Sequence, residues 1–174
     1  MEKEKLLYIG RHAKSSWDFP GRADIDRPLA ERGVKDAYNM VQRMIERGEG
    51  PQLIISSPAN RALHTAVIYA RGISLPFSSV WVNEGLYMSG EDKILDIIYG
   101  VDNSIDSLMI FGHNPDFTYL ANYFLHDPVD NIPTSGLVRL NFRSDKWEGI
   151  GKTNLAGYIF DYPKRKWQDG KMKQ

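Results

Sequence analysis

The stretch Lys5-Leu-Leu-Tyr-Ile-Gly-Arg-His-Ala-Lys-Ser-Ser-Trp17 decides how the rest of the chain is interpreted. Its apolar run, residues 6–9, predicts a buried β-strand. Arg11, His12 and Lys14 follow directly, so this strand would deliver a histidine among cations at its carboxyl end. Open α/β sheets bind ligands where their strands end, and cations in that place favour an anion. The stretch alone leaves open whether His12 is a nucleophile, a binding group or a structural residue.

The composition is that of an ordinary globular domain and narrows the class of partners. The chain has 174 residues, of which 42% are hydrophobic and 25% are charged, enough for one domain with a stable core. Lys+Arg and Asp+Glu both number 22, so the formal net charge is zero and binding to nucleic acid or to an anionic membrane is not predicted. The absence of cysteine excludes disulfides, thiolate nucleophiles and cysteine-ligated metals.

The sequence also bears on where the protein works. The charged start, residues 1–5, has no apolar signal region behind it, and this is unlike a secretory leader. No apolar run approaches the roughly 20 residues that a membrane span needs. We therefore expect a cytoplasmic protein.

Predicted strands and helices alternate along most of the chain. Apolar runs predict strands at 6–9, 53–57, 80–82 and 108–111, and apolar spacing of three and four residues predicts helices at 29–47, 58–71, 91–99 and 117–125. Ser57 suits the N-cap of the second helix, and Pro58 suits its first position. Residues 13–29, rich in Asp, Arg, Pro and Gly, predict an ordered loop long enough to have a function.

The last quarter of the chain has a different pattern. Residues 136–142 alternate between apolar and polar positions, which predicts a half-exposed strand. Residues 155–162 predict one more strand, and a basic tail begins at about residue 163. The whole pattern predicts a single domain over residues 1–174. Its fold would be a three-layer α/β/α sandwich with helices on both faces of a mostly parallel sheet, which the closing strands could make mixed.

Three predicted strands end beside residues that could hold a phosphoryl group. The first ends in Arg11 and His12, the second leads to Arg61, and the fourth ends before His113. If these strands are parallel neighbours, their carboxyl ends share one edge of the sheet. Arginine matches phosphate oxygens with a planar charged fork, and neutral imidazole can attack phosphorus at physiological pH. Together these residues supply the nucleophile and the positive charge that phosphoryl transfer requires, and the reaction then needs no metal.

Three short motifs carry a family resemblance. They are Arg11-His-Ala13, Ser57-Pro-Ala-Asn-Arg-Ala62 and Gly112-His-Asn-Pro115, and they resemble the histidine phosphatase superfamily, which includes the cofactor-dependent phosphoglycerate mutases. Arg11-His-Ala-Lys-Ser-Ser-Trp17, Asp24-Ile-Asp-Arg-Pro-Leu29 and Arg32-Gly33 resemble its small SixA-type branch, the phosphohistidine phosphatases. The resemblance runs from about residue 5 to residue 142. It implies a phosphoglycerate mutase-like fold and a phosphatase that needs no metal or cofactor.

The resemblance also implies a role for each matching residue. His12 would be the nucleophile that becomes phosphorylated, and Arg11 and Arg61 would be phosphate ligands. His113 would bind the phosphate and stabilise charge in the transition state. Ala13 replaces the usual glycine after the catalytic histidine, as is common in the small branch. The implied substrate is phosphohistidine on a protein, for example a signalling phosphotransfer domain.

Four further residues are candidates for contact with the substrate, and a fifth is undecided. Arg27 either lines the pocket or pairs with a neighbouring aspartate. Lys14 and Ser15 would flank the phosphate loop, although capping and solvation explain them nearly as well. Glu84 lies after the third strand, near the position where mutases carry a glutamate, but its surroundings match poorly. Trp17 is either a wall for the substrate, a lid anchor or a core residue.

Three functions remain in competition. The first is a phosphohistidine phosphatase. The second is a phosphatase of small phosphomonoesters, such as sugar or nucleotide phosphates; a reliable acid at Glu84 would favour it, because an alkoxide leaving group needs more proton help than a phosphoramidate. The third is an adaptor that binds phosphorylated proteins without turnover. The two histidines speak against the adaptor, because binding alone needs no nucleophile.

Overall fold

A computed structural model describes residues 3–165 of the chain. Within that range six strands form one sheet: β1 (Glu4–Arg11), β2 (Leu53–Ser56), β3 (Val80–Val82), β4 (Ser107–Gly112), β5 (Leu137–Arg143) and β6 (Leu155–Asp161). Four α-helices accompany them: α1 (Glu31–Glu46), α2 (Asn60–Gly72), α3 (Glu91–Tyr99) and α4 (Asp116–Phe124). Most of the predicted basic tail, including Lys166, Lys171 and Lys173, lies outside the described residues.

The strand order places the predicted strand ends side by side. The sheet runs β3-β2-β4-β1-β5-β6, with β1 to β4 parallel, β5 antiparallel to β1, and β6 antiparallel to β5. Ile110 in β4 pairs with Ile9 on one side and with Ile55 on the other. The carboxyl ends of β1, β2 and β4 therefore share one edge, as the sequence predicted. The mixed α/β sandwich is confirmed.

Two apolar cores lie on opposite faces of this sheet. Leu7 and Ile9 of β1 point to the face that α3 and α4 cover, and Tyr8 points to the face that α1 and α2 cover. Side chains of a strand alternate between faces, so a strand that is apolar at consecutive positions is buried on both sides. Helices thus cover both faces of the sheet. No helix among residues 3–165 is long and apolar enough to cross a membrane.

The first helix spans Glu31–Glu46 and is therefore shorter at both ends than the predicted helix of residues 29–47. It begins at Glu31 rather than at Leu29, because Leu29 pairs with Ser15 in an isolated antiparallel bridge. Ile45 fits the apolar spacing of three and four residues that predicted the helix, but it is 44% exposed. Met40, Val41 and Met44 complete the buried stripe of the helix, and Ile45 falls beside that stripe.

Candidate active site

His12 lies directly after β1, with 7% of its surface exposed. Its Nδ1 is 2.7 Å from the carbonyl oxygen of Ala13, and since a carbonyl only accepts, Nδ1 carries the proton. Arg61 Nε donates to the remaining ring nitrogen, Nε2, over 3.3 Å. Burial lowers the pKa of His12 to about 4, and the positive charges of Arg61 and Arg11 add to this effect against the Ala13 hydrogen bond. His12 is therefore a neutral imidazole with its Nε2 lone pair toward a guanidinium.

The backbone after His12 is fixed from two sides. Thr65 of α2 accepts the Ala13 N–H with its Oγ1 at 3.0 Å and donates the same hydroxyl to the Arg61 carbonyl at 2.7 Å. On the other side α1 passes close by at Gly33, where a Cβ would overlap the backbone carbonyl of Lys14. These contacts hold the histidine against the start of α2.

Arg61 is 3% exposed and lies in the first turn of α2. The helix begins at Asn60, with Ala59 at its N-cap, so the prediction that Ser57 caps it and Pro58 opens it was wrong. A short turn separates β2 from the helix, and in that turn the Ser57 hydroxyl accepts the Ala59 N–H at 3.2 Å. This offset places Arg61 within reach of His12.

His113, directly after β4, is held by Ser57. Ser57 Oγ lies 2.8 Å from His113 Nε2, and the ring centroids of His113 and His12 are 5.1 Å apart. Ser57 Oγ also accepts the Ala59 N–H, and when it donates its own proton to Nε2 the imidazole carries its proton on Nδ1. That Nδ1 is buried and has no hydrogen-bond partner in the described part of the chain. Burial, then the neighbouring His12 and Arg61, lowers the pKa of His113 to about 3.

Arg11 ends β1 and supplies a second guanidinium. Its Nη1 donates to the Ile132 carbonyl at 2.9 Å, and its buried Nε has no hydrogen-bond partner within residues 3–165. Burial also lowers the pKa of this guanidinium from its usual value. The Arg11 guanidinium is thus fixed through Nη1, while its Nε can still donate a hydrogen bond.

Two residues join the site that the sequence-based hypothesis did not assign to it. Asp24, in the short turn Asp24–Asp26, accepts a hydrogen bond from Arg61 Nη2 at 2.8 Å and one from the Tyr87 hydroxyl at 2.9 Å. The Tyr87 ring meets His113 edge-on, with centroids 5.2 Å apart. Partial burial acts to raise the pKa of Asp24, but the hydrogen bonds from Tyr87 and Arg61 outweigh it and lower the pKa to about 2.

Arg27 and Trp17 form one wall beside Asp24. Arg27 Nε donates to Asp24 Oδ1 at 3.0 Å, so Arg27 does pair with the neighbouring aspartate. Its guanidinium carbon lies 3.7 Å from the centroid of the Trp17 ring. Trp17 is 72% exposed, so the core-packing alternative for it is wrong. A cation stacked on an aromatic face explains its position.

The other candidate residues lie at the margin of the site. Lys14 is exposed, Ser15 is buried and its backbone pairs with Leu29, and Glu84 is exposed at the start of the turn Glu84–Leu86. Within residues 3–165, no side-chain hydrogen bond joins these three residues to the two histidines or to Arg11 and Arg61. Their contact with a substrate stays a prediction.

Comparisons with known proteins identify the family. The model of the histidine phosphatase superfamily (branch 1) matches residues 7–86, which contain the first two motifs. An uncharacterised chloroplastic protein of Arabidopsis thaliana is 46% identical over 171 residues, covering 89% of this chain and 77% of that protein. The chain belongs to the histidine phosphatase superfamily. It is therefore a phosphatase whose substrate carries a phosphoryl group.

Solved structures of this superfamily share the fold. A candidate phosphohistidine phosphatase SixA from Agrobacterium tumefaciens is 26% identical, with a TM-score of 0.75 over 89% of this chain and 97% of that one. The protein histidine phosphatase SixA complexed with tungstate is 19% identical, with a TM-score of 0.76 over 91% and 97%. A mycobacterial glucosyl-3-phosphoglycerate phosphatase is 16% identical, with a TM-score of 0.62 over 92% and 98%. The neighbours of this histidine phosphatase thus include both protein and small-molecule phosphatases.

Proposed function

We propose that this histidine phosphatase hydrolyses phosphohistidine on proteins through a covalent phosphoenzyme at His12. One observation carries the proposal: the Ala13 carbonyl fixes the proton on Nδ1 of His12, and Arg61 Nε lies 3.3 Å from the free Nε2. A neutral imidazole is a competent nucleophile, and the adjacent guanidinium can receive the charge of a phosphoryl group.

In the first step, Nε2 of His12 attacks phosphorus as the P–N bond of the substrate breaks. The electron pair of that bond returns to the substrate imidazole, which takes up a proton from solvent. Arg11 and Arg61 neutralise the phosphoryl oxygens, and the unpartnered Nδ1–H of His113 donates to one of them. The Ala13 carbonyl stabilises the positive charge that develops on the His12 ring.

In the second step, water attacks the phosphorus of the phosphoenzyme. The electron pair of the N–P bond returns to Nε2, a proton passes to solvent, and inorganic phosphate leaves. The same cations hold the phosphoryl oxygens throughout, so both steps use one set of residues. The nucleophile and the groups that stabilise charge in this scheme all belong to the chain itself.

The short connection between β3 and β4 favours a protein substrate. Between β3 and β4 the chain forms α3, whose Ile94, Leu95 and Ile98 are committed to the core rather than to a cap over the site. The likeness to the SixA proteins supports a phosphorylated protein, such as a His phosphotransfer domain, as the partner. A cytoplasmic location stays a prediction.

A small phosphomonoester is the second candidate substrate. The fold shared with the glucosyl-3-phosphoglycerate phosphatase favours it. An ester leaves as an alkoxide and needs a proton donor, and Glu84 is the residue that the sequence analysis suggested for that part. The two candidates therefore differ in how much turnover depends on Glu84.

One experiment separates these functions. A phosphorylated His phosphotransfer domain and an aryl phosphate are each incubated with the wild type, His12→Ala and Glu84→Gln. We expect phosphohistidine turnover that His12→Ala abolishes and Glu84→Gln leaves within about twofold. Release from the aryl ester but never from phosphohistidine would support the small-molecule substrate. Binding of the phosphorylated domain without any turnover would support the adaptor.

A further inference from the structure

Two nitrogens of the Arg61 guanidinium, Nη1 and Nη2, donate hydrogen bonds to Asp24, and the third, Nε, donates to His12. Nη1 donates to the backbone carbonyl of Asp24 at 2.6 Å, and Nη2 donates to the Asp24 carboxylate at 2.8 Å. Nε donates to His12 Nε2. A guanidinium can bind an oxyanion through two parallel N–H groups, so the Asp24 contacts leave the Nε edge for a phosphoryl group.

Asp24 is itself held from two further directions. Arg27 Nε donates to Oδ1 at 3.0 Å, and the Tyr87 hydroxyl donates to Oδ2 at 2.9 Å. Tyr87 also packs edge-on against His113. The Asp24 carboxylate thus accepts hydrogen bonds from three parts of the chain: from Arg27 in the loop of residues 13–29, from Tyr87 in the loop after β3, and from Arg61 in α2.

We propose that Asp24 is a positioning residue, which holds Arg61 so that its Nε edge meets the phosphoryl oxygens at His12. The inference rests on the proposed function, because it takes His12 as the site of phosphoryl transfer. An arginine side chain loses much rotamer freedom when it becomes ordered, and Asp24 orders it before the substrate arrives. Asp24 acts through Arg61 alone and does not contact the phosphoryl group.

A double-mutant cycle tests this role. Asp24→Ala should lower kcat/KM for the aryl phosphate by about 10- to 100-fold, the loss expected for hydrogen bonds to a charged group. In the Arg61→Ala background the same substitution should change kcat/KM by less than about twofold, because its target is gone. Asp26→Ala, an exposed neighbour in the same turn, is the matched control and should stay within about twofold of wild type. Asp24→Asn, which keeps the shape of the side chain, should give an intermediate loss.

Tungstate affinity, measured by calorimetry on the same variants, gives a readout that needs no turnover. Asp24→Ala should weaken tungstate binding about tenfold in the wild-type background and leave it unchanged in the Arg61→Ala background. Equal losses in both backgrounds, or no loss in the first, would overturn the positioning role while His12-dependent turnover stands. Full turnover by His12→Ala would instead contradict the proposed function. Tungstate binding by the Asp24 and Arg61 variants would still decide the role of Asp24. A wild type with neither tungstate binding nor turnover would overturn both.

Discussion

Ser57 Oγ lies 2.8 Å from His113 Nε2, and this hydrogen bond holds the imidazole of His113 in the site. The same oxygen accepts the Ala59 N–H, so the serine hydroxyl joins the turn before α2 to the end of β4. His113 Nδ1 is buried and has no hydrogen-bond partner among the described residues. In the tautomer that carries its proton on Nδ1, the site therefore holds a donor for an anion before any substrate binds.

Ser57→Ala is expected to lower kcat about tenfold, the effect of one hydrogen bond of roughly 1.4 kcal/mol, because it releases the orientation and tautomer of His113. Steady-state kinetics measures the loss, and ¹⁵N NMR of the imidazole reports the tautomer. Ser56→Ala removes a neighbouring buried hydroxyl that, among residues 3–165, bonds only to the Ser57 carbonyl, and it should cost much less activity. Equal losses for both variants would contradict the role of the Ser57 hydroxyl.

Thr65→Val keeps the shape of the side chain but leaves the Ala13 N–H buried without its acceptor. We expect a loss of about 1–3 kcal/mol in the free energy of unfolding, the cost of an unsatisfied buried donor. Urea denaturation measures it, and kcat should fall as well because the backbone after His12 loses its anchor. Thr153→Val, at an exposed threonine, should lie within about 0.5 kcal/mol of wild type. A Thr65→Val protein as stable as wild type would argue against the anchor.

Gly33→Ala is expected to displace the loop that carries Lys14, since the added Cβ would overlap the Lys14 carbonyl. Overpacking of this kind costs roughly 1–3 kcal/mol, and backbone atoms cannot move aside as a flexible side chain can. Thermal unfolding and kcat should both decline. At Gly157 a Cβ meets nothing within 4 Å, so Gly157→Ala is the control. Unchanged stability and activity in Gly33→Ala would show that α1 does not constrain the loop.

Acid should destabilise the fold through the two buried histidines. Their pKa values are about 4 for His12 and about 3 for His113, against about 6.5 for a histidine in an unfolded chain. Between pH 4 and 6.5 the unfolded chain therefore binds more protons, so the free energy of unfolding rises with pH. Each histidine contributes up to about 1.4 kcal/mol per pH unit in that window. Urea unfolding of the His12→Asn/His113→Asn double variant should show a flatter pH dependence from pH 5 to 6, and an unchanged slope would contradict the pKa assignments.

The sequence predicted that Arg11, His12, Arg61 and His113 would meet on the condition that their strands are parallel neighbours, and the strand order β2-β4-β1 meets that condition. The carboxyl ends of neighbouring parallel strands lie at one edge of the sheet, so residues that follow them converge. The contact between Tyr87 and Asp24 could not be predicted in this way. It joins two loops far apart in the chain, and their conformations depend on packing that no local pattern encodes.

Local patterns also misplaced some residues. Ser57-Pro58 has the composition of a helix start, yet the helix begins at Asn60, and the Ser57 hydroxyl contacts His113 and accepts the Ala59 N–H in the turn before it. For Trp17 the sequence left a substrate wall, a lid anchor and a core residue as alternatives, and a stack on Arg27 at the surface removes the core alternative. Both residues make a contact in the site that local patterns do not show.

The most direct test of the central claim is to trap the phosphoenzyme. The protein is mixed with a ³²P-labelled phosphorylated phosphotransfer domain, quenched in base within milliseconds, and mapped by mass spectrometry, with His12→Ala alongside. The account predicts an acid-labile, base-stable phosphoryl group on His12 that forms and decays at rates consistent with kcat. Turnover with no label on His12, or with label on another residue in both proteins, would contradict it.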